Sequence, residues 1–390
     1  MAQHDPLKFV AGLSAKLAAR TRHVCVFMGA GTSKACGLPD VATLQESVLK
    51  DLDETKSAAF KVQLKDRNLE QALSRLRRIA GLLTDQQTID GLTTQAAKEL
   101  DAAVCASIVK QLNADHADLE PAYRFAAWAA RANYRQPVEI FNVNYDLITE
   151  TAFERLRVPY FDGFVGALEA CFHTDLVEAR PGTDEQTVPH FFVRMWKLHG
   201  SVNWQRKHSE IVRLGQPVAS GQPAAIYPSE TKYEESRRMP FVVLHDRFRR
   251  ALNEPETIML ISGYSFGDQD LNELVFDAAR RRERSEFVAF CYSDISEDLA
   301  KRALSTPNLQ VVGATEAVIG GIRDKWKAPD EASPNEPPPN VWENGKFALG
   351  DFKHLAAYLA RTGAADLIEE QLQNALRAFI TPKTVPDAKS

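Results

Sequence analysis

The chain has 390 residues, is 44% hydrophobic and carries a formal charge of −5, enough to bury a full core and without the basic excess that direct nucleic-acid binding would need. No apolar run reaches the roughly 18 residues of a membrane span and no secretory-type segment opens the sequence, which predicts a soluble, cytoplasmic protein without a membrane partner. Its five cysteines (Cys25, Cys36, Cys105, Cys171 and Cys291) are scattered with no Cys-x-x-Cys pair, which argues against a disulfide framework and against a thiolate zinc site.

Residues 5–20 carry Leu7, Val10, Leu13, Leu17 and Ala18 at helical spacing behind Asp5-Pro6, a helix start. Val24-Cys25-Val26-Phe27-Met28 is an unalternating apolar run, as in a parallel strand buried on both faces. It ends at Gly29-Ala30-Gly31-Thr32-Ser33, and a helical segment with Leu44, Val48 and Leu49 follows. Strand, glycine turn and helix N-terminus make an anion pocket, where bare backbone approaches the ligand and N–H groups point at it. An ordinary strand-to-helix turn fits the same residues. The full Gly-x-Gly-x-x-Gly spacing is absent, since the third glycine comes only at Gly37.

From about 51 to 135 the texture changes. No proline occurs before Pro121, and helical periods recur at Leu69, Leu73, Leu76 and Ile79, then at Leu100, Val104, Ile108 and Leu112. Interspersed charges of both signs read as solvated helical faces, so 51–135 is expected to be a helical insertion. Strands are expected at 138–143, 191–198, 257–262, 287–291 and 308–312, with helices at 271–284 and 297–304. Strands alternating with helices predict a Rossmann-like, doubly wound, mostly parallel sheet. A catalytic domain of 1–50 plus 136–326 is expected. A proline-rich linker begins at 327, and a helical tail at 352–380 has Leu355, Leu359, Leu367, Leu372 and Leu376 in period. Such a tethered tail reads as an assembly element, or else as a helix packed back on the parent domain.

Four motifs stand in a fixed order. Gly29-Ala30-Gly31-Thr32-Ser33 with Gly37-Leu38-Pro39-Asp40 resembles the opening signature of the Sir2 (sirtuin) superfamily. Asn142-Val143-Asn144-Tyr145-Asp146 resembles its Asn-x-Asp segment, and Leu198-His199-Gly200-Ser201 its His-Gly segment. Gly263-Tyr264-Ser265-Phe266, with Asp268 two residues on, resembles its Gly-Thr-Ser-like turn. The resemblance implies NAD as the bound molecule, gripped by Gly29, Ala30, Gly31, Thr32, Ser33, Pro39, Asp40, Gly263, Ser265 and Asp268. It implies Asn144 and His199 as the catalytic pair, with Asp146 orienting Asn144 or the ribose.

The chemistry suits those residue types. Cleaving the nicotinamide–ribose bond develops oxocarbenium character at the sugar. An asparagine can hold a ribose hydroxyl or water, and a histidine is the side chain that exchanges protons in the neutral range. Each residue also has a plain structural alternative: Asn144 or Asp146 as the cap of a helix at 147–156, His199 as a turn residue, and Asp268 as the cap of 271–284. The run Arg280-Arg281-Arg282-Glu283-Arg284 reads as a solvated helix end.

Two departures matter. Deacylating sirtuins place two Cys-x-x-Cys pairs after the His-Gly motif, whereas no cysteine stands between His199 and Gly263. The Phe-Arg that commonly follows Pro-Asp is replaced by Val41-Ala42. The pattern is instead similar to the Sir2-like effector domains of bacterial antiphage systems, which consume NAD, and Ile226-Tyr227-Pro228-Ser229 resembles a short proline segment of those domains. That likeness implies a zinc-free NAD glycohydrolase of antiviral defence by abortive infection. It would form a homo-oligomer, gated by assembly or by a partner: a HerA-type ATPase or helicase, or a nucleic-acid-guided sensor from the same operon. The alternatives are an NAD-dependent protein deacylase and a non-catalytic sensor of NAD or ADP-ribose.

Overall fold

A computed structural model describes residues 3–84, 87–132, 134–178, 192–207, 210–219, 224–226, 239–329 and 340–362. The first half contains α1 (Pro6–Leu17), β1 (Val24–Met28), α2 (Ala30–Lys34), α3 (Val41–Asp51), α4 (Glu54–Leu64), α5 (Leu69–Leu82), α6 (Thr94–Gln111), α7 (Glu120–Arg131), β2 (Val138–Asn142) and α8 (Ile148–Arg155). Then come β3 (Tyr160–Phe161), β4 (Phe164–Val165), β5 (Glu169–Phe172), α9 (Thr174–Glu178), β6 (Val193–Lys197), β7 (Gly200–Lys207), β8 (Glu210–Leu214) and β9 (Ala224–Ile226). The last part holds α10 (Phe241–Leu252), β10 (Ile258–Ser262), α11 (Gln269–Arg281), β11 (Glu286–Phe290), α12 (Glu297–Leu304), β12 (Leu309–Val312), β13 (Glu316–Ile319), β14 (Ile322–Lys325), β15 (Trp342–Glu343), β16 (Lys346–Phe347) and α13 (Phe352–Thr362).

The main sheet runs β14-β13-β12-β11-β10-β1-β2-β6-β3, parallel except at β13 and β14. Every residue of β1 is buried, and its alternate side chains enter two different cores. Val24, Val26 and Met28 join α1, α3 to α8 and α13 on one face. Cys25 and Phe27 join α10, α11 and α12 on the other. The apolar run is unalternating because both faces are covered. From β1 the chain moves one way to β2 and β6, and from β10 the other way to β11 and β12. The reversal falls between β1 and β10, where open α/β sheets form their ligand crevice beyond the carboxyl ends of the strands.

The expected strands are present, each within about two residues of its anticipated limits, and 51–135 is helical. That helical stretch shares one continuous core with β1 and β2. A second, five-stranded sheet, β4-β5-β8-β7-β9, is an addition, entered at β4 after β3 and rejoined where β6 turns at His199 into β7. In its first turns the tail follows the second of its two readings, packing back on the parent domain. Phe352, Leu355, Tyr358 and Leu359 of α13 are buried in the same core. The Tyr358 hydroxyl donates to Val10 O at 2.8 Å, and Arg131 donates to Ala360 O at 2.8 Å. A helix whose apolar stripe meets an existing face packs there, so 352–362 is a core element. The rest of the expected tail (363–380), the proline segment at 227–229 and linker positions 330–339 lie outside the described residues.

Candidate active site

Three glycines form the floor of the crevice. The Gly31 amide donates to Gly263 O at 2.8 Å and the Gly29 amide to Ser262 O at 3.0 Å. A Cβ on Gly29 would lie 2.6 Å from Gly263 O, one on Gly31 2.7 Å from Gly263 Cα, and one on Gly263 2.4 Å from Thr32 N. Gly263 also has φ +64°, which L side chains rarely adopt. The loops after β1 and β10 are therefore fused backbone to backbone. This corrects one expectation. The Gly29, Gly31 and Thr32 amides are already taken by Ser262, Gly263 and Gly29 carbonyls, so the turn offers bare glycine surface more than a ring of free donors.

Beside this floor stand Asn144 and His199. In the β2–β6 ladder Asn142 pairs with Lys197, so the two residues emerge side by side, each two positions beyond that pair. Both are buried, at 8% and 6% exposure. Asn144 Nδ2 is shared among Gly29 O (3.0 Å), Thr32 Oγ1 (2.9 Å) and Ser33 Oγ (2.8 Å). An amide has only two hydrogens to give, so Nδ2 is fully used and Oδ1 is left as the group that can face a substrate. Ser33 Oγ in turn donates to Asp146 Oδ2 at 2.6 Å, while Asp146 Oδ1 accepts from Ile148 N at 3.0 Å at the start of α8. Asp146 thus acts on Asn144 through Ser33 and also caps a helix. Its place is that of a positioning residue.

Two further residues were missed by sequence reasoning. Lys197 is 1% exposed. Its ammonium donates to Asp146 O at 2.5 Å and lies 3.2 Å from Glu150 Oε1. It ties the Asn144–Asp146 loop to the strand that carries His199. Burial pushes the Glu150 carboxyl above its usual range, against the pull of Lys197. The available signal was a lysine at the end of a strand buried throughout, two residues before His199. Deeper in the sheet, Glu139 accepts from Trp196 Nε1 (2.8 Å) and Arg247 Nε (2.8 Å), and it lies 3.2 Å from His23 Nε2.

The remaining expected residues divide. Asp268, 8% exposed, caps α11 through Oδ1, which accepts from Asp270 N (3.1 Å) and Leu271 N (3.2 Å). Its Oδ2 lies 3.3 Å from His199 Nε2. Asp40 caps α3 through Thr43 N (2.9 Å) and pairs with Lys34 at 2.7 Å, and those hydrogen bonds hold its carboxyl well below the usual carboxylate range. Pro39 precedes it, partly exposed, and Ser265 is exposed on the loop after β10. The structure brings Thr32, Ser33, Asn144 and Asp146 into one bonded cluster and His199 and Asp268 into a second contact, with Ala30 in the first turn of α2. Among the described residues no group of three His, Cys, Asp or Glu side chains is placed to hold a metal.

The buried polar cluster thus sits at the switch point of the sheet, where open α/β sheets bind ligands. No curated protein matches the chain. Residues 138–312, which run from β2 through β12 and contain Asn144, Asp146, His199, Gly263 and Asp268, match the family model described as a SIR2-like domain.

Proposed function

We propose that this protein is an NAD+ glycohydrolase that releases nicotinamide and ADP-ribose. SIR2-like domains use NAD, and the residues present fit it. A diphosphate can lie against the glycine surface of Gly29, Gly31 and Gly263, where any Cβ would collide with backbone. The reading rests above all on the register of Asn144 and His199 at the ends of neighbouring strands β2 and β6, beside the switch point.

In the proposed reaction the C1′–nitrogen bond of the nicotinamide riboside breaks and its electron pair leaves with neutral nicotinamide. Water bonds to C1′ and its proton passes to His199. Asn144 Oδ1, spared by the inward commitment of Nδ2, accepts from that water or from a ribose hydroxyl. Asp146, Ser33 and Lys197 hold Asn144 in place. The enzyme would serve as an effector of antiphage defence, as a homo-oligomer gated by assembly or by a partner ATPase or nucleic-acid sensor. An enzyme that empties the NAD pool needs a low resting rate, which is the reason for the gate.

Chromatography of NAD incubated with the purified chain tests this reading. Nicotinamide and ADP-ribose in equal amounts support it. Release only in the presence of an acylated peptide would indicate a deacylase, and intact NAD retained by the chain would indicate a sensor.

A further inference from the structure

We propose that Asp268 is a positioning residue for His199, holding the imidazole as its Nε2–H tautomer so that Nδ1 is the nitrogen that takes up a proton; only the identity of that proton rests on the NAD-cleaving reading. The two side chains come from distant parts of the sheet. His199 follows β6 and Asp268 follows β10, with β2 and β1 lying between those strands, a separation of about 14 Å at ordinary strand spacing. Yet Nε2 and Oδ2 are 3.3 Å apart. The loops lean together over the ends of β2 and β1, where Asn144 and the glycine floor stand.

Capping α11 does not explain this contact, because the cap uses Oδ1 alone. Asp268 is also held from behind. The Tyr264 hydroxyl, with one hydrogen to give, lies within hydrogen-bond distance of Asp268 O (3.2 Å) and Asn272 Oδ1 (2.9 Å), Asn272 Nδ2 donates to Phe266 O (2.7 Å), and the Tyr264 ring packs edge-on against Phe27 at 4.6 Å. Both partners are nearly buried, at 6% and 8% exposure. The contact is an ion-pair distance without the alignment of a directed hydrogen bond, and such contacts often tighten when substrate arrives. A carboxylate can only accept, so the ring nitrogen that faces it must carry the hydrogen and the other nitrogen is left as the base. Among the described residues, Lys197 is engaged with Asp146 O and Glu150, and Asp146 with Ser33 and Ile148.

Long-range 1H–15N NMR of the full chain carrying 15N-histidine, at a pH where the rings are neutral, reads the tautomer directly. His199→Ala identifies the signal. The wild-type chain should show Nε2–H. Asp268→Asn keeps an oxygen in the helix cap and turns an NH2 toward the ring, so the pattern should invert to Nδ1–H. Asp268→Ser also keeps a cap but is too short to reach, and should give a mixture. An Nδ1–H wild-type ring, or an unchanged pattern in Asp268→Asn and Asp268→Ser, overturns the proposal. Should Asp268→Asn fail to fold, the wild-type and Asp268→Ser spectra still decide. In parallel, NAD turnover by Asp268→Asn should fall about 100-fold, mostly in kcat. If no chain releases nicotinamide while the spectra behave as expected, the NAD-cleaving reading fails and the tautomer assignment stands.

Discussion

The Gly31 amide donates to the Gly263 carbonyl at 2.8 Å, and neither residue has room for a Cβ. This contact joins the two halves of the sheet at the switch point. Gly263→Ala must place a methyl 2.4 Å from Thr32 N at φ +64°. The left-handed backbone and the forced shift of the neighbouring loop should together cost about 2–4 kcal/mol. Gly12→Ala is the control. Gly12 lies within α1, and a methyl added there would meet nothing within 4 Å, so the change should stabilise by about 0.5–1 kcal/mol. Urea unfolding of both variants checks the pair; equal midpoints would contradict the fused-loop account.

Asn144→Ala should lower stability as well as activity. Its side chain joins the β1 and β2 loops through Gly29 O, Thr32 and Ser33, and buried partners left unsatisfied typically cost about 1–3 kcal/mol. A strand-end side chain without these three partners would make the change nearly neutral. His199→Ala removes a side chain whose described polar contact is the one with Asp268, and its thermal midpoint should fall less. The two melting curves, compared at one protein concentration, test the order.

Glu139→Gln should destabilise by about 3–5 kcal/mol, because Arg247 and His23 then face no compensating charge in the sheet interior. Burial alone would raise the Glu139 carboxyl, but hydrogen bonds from His23 and Arg247 outweigh it and hold the group well below its ordinary 4.5. The sign follows from a depressed folded value. The stability Glu139 contributes is present above about pH 4.5 and is lost as pH falls toward the folded value. The wild-type advantage over Glu139→Gln should therefore shrink as pH falls below about 4.5, and the two should converge in acid.

Leu355→Ala and Phe352→Ala in α13 should cost about 2–5 and 3–5 kcal/mol, since both are buried in the core shared with β1. Phe352 packs 5.7 Å from Phe125 and lines, with Thr32 and Ser33, a small cavity behind the α2 turn. Variants that melt like wild type while changing oligomer mass in light scattering would return 352–362 to an assembly role.

Much of the fold was legible because both faces of the sheet are covered. Five consecutive apolar residues in β1 have no other economical home, and the strand ends marked by Gly29, Asn144, His199 and Gly263 lie together in space as their order implied. What stayed hidden depends on contacts distant in sequence. Nothing local to Phe352 says that α7 offers a face for it. Lys197 and Glu139 look like interruptions of strands until Glu150, Arg247 and His23 are seen around them. The second sheet consists of short strands, two to eight residues long, whose periodicity is too brief to read.

The most direct test of the central claim is nicotinamide release from NAD by the full chain, measured across a protein-concentration series beside His199→Ala and Asn144→Ala. The account predicts nicotinamide equal to the NAD consumed, a rate per chain that rises with concentration as the enzyme assembles, and loss of release in both variants. A wild-type chain that leaves NAD intact at every concentration, or a His199→Ala chain that releases nicotinamide as fast as wild type, would contradict it.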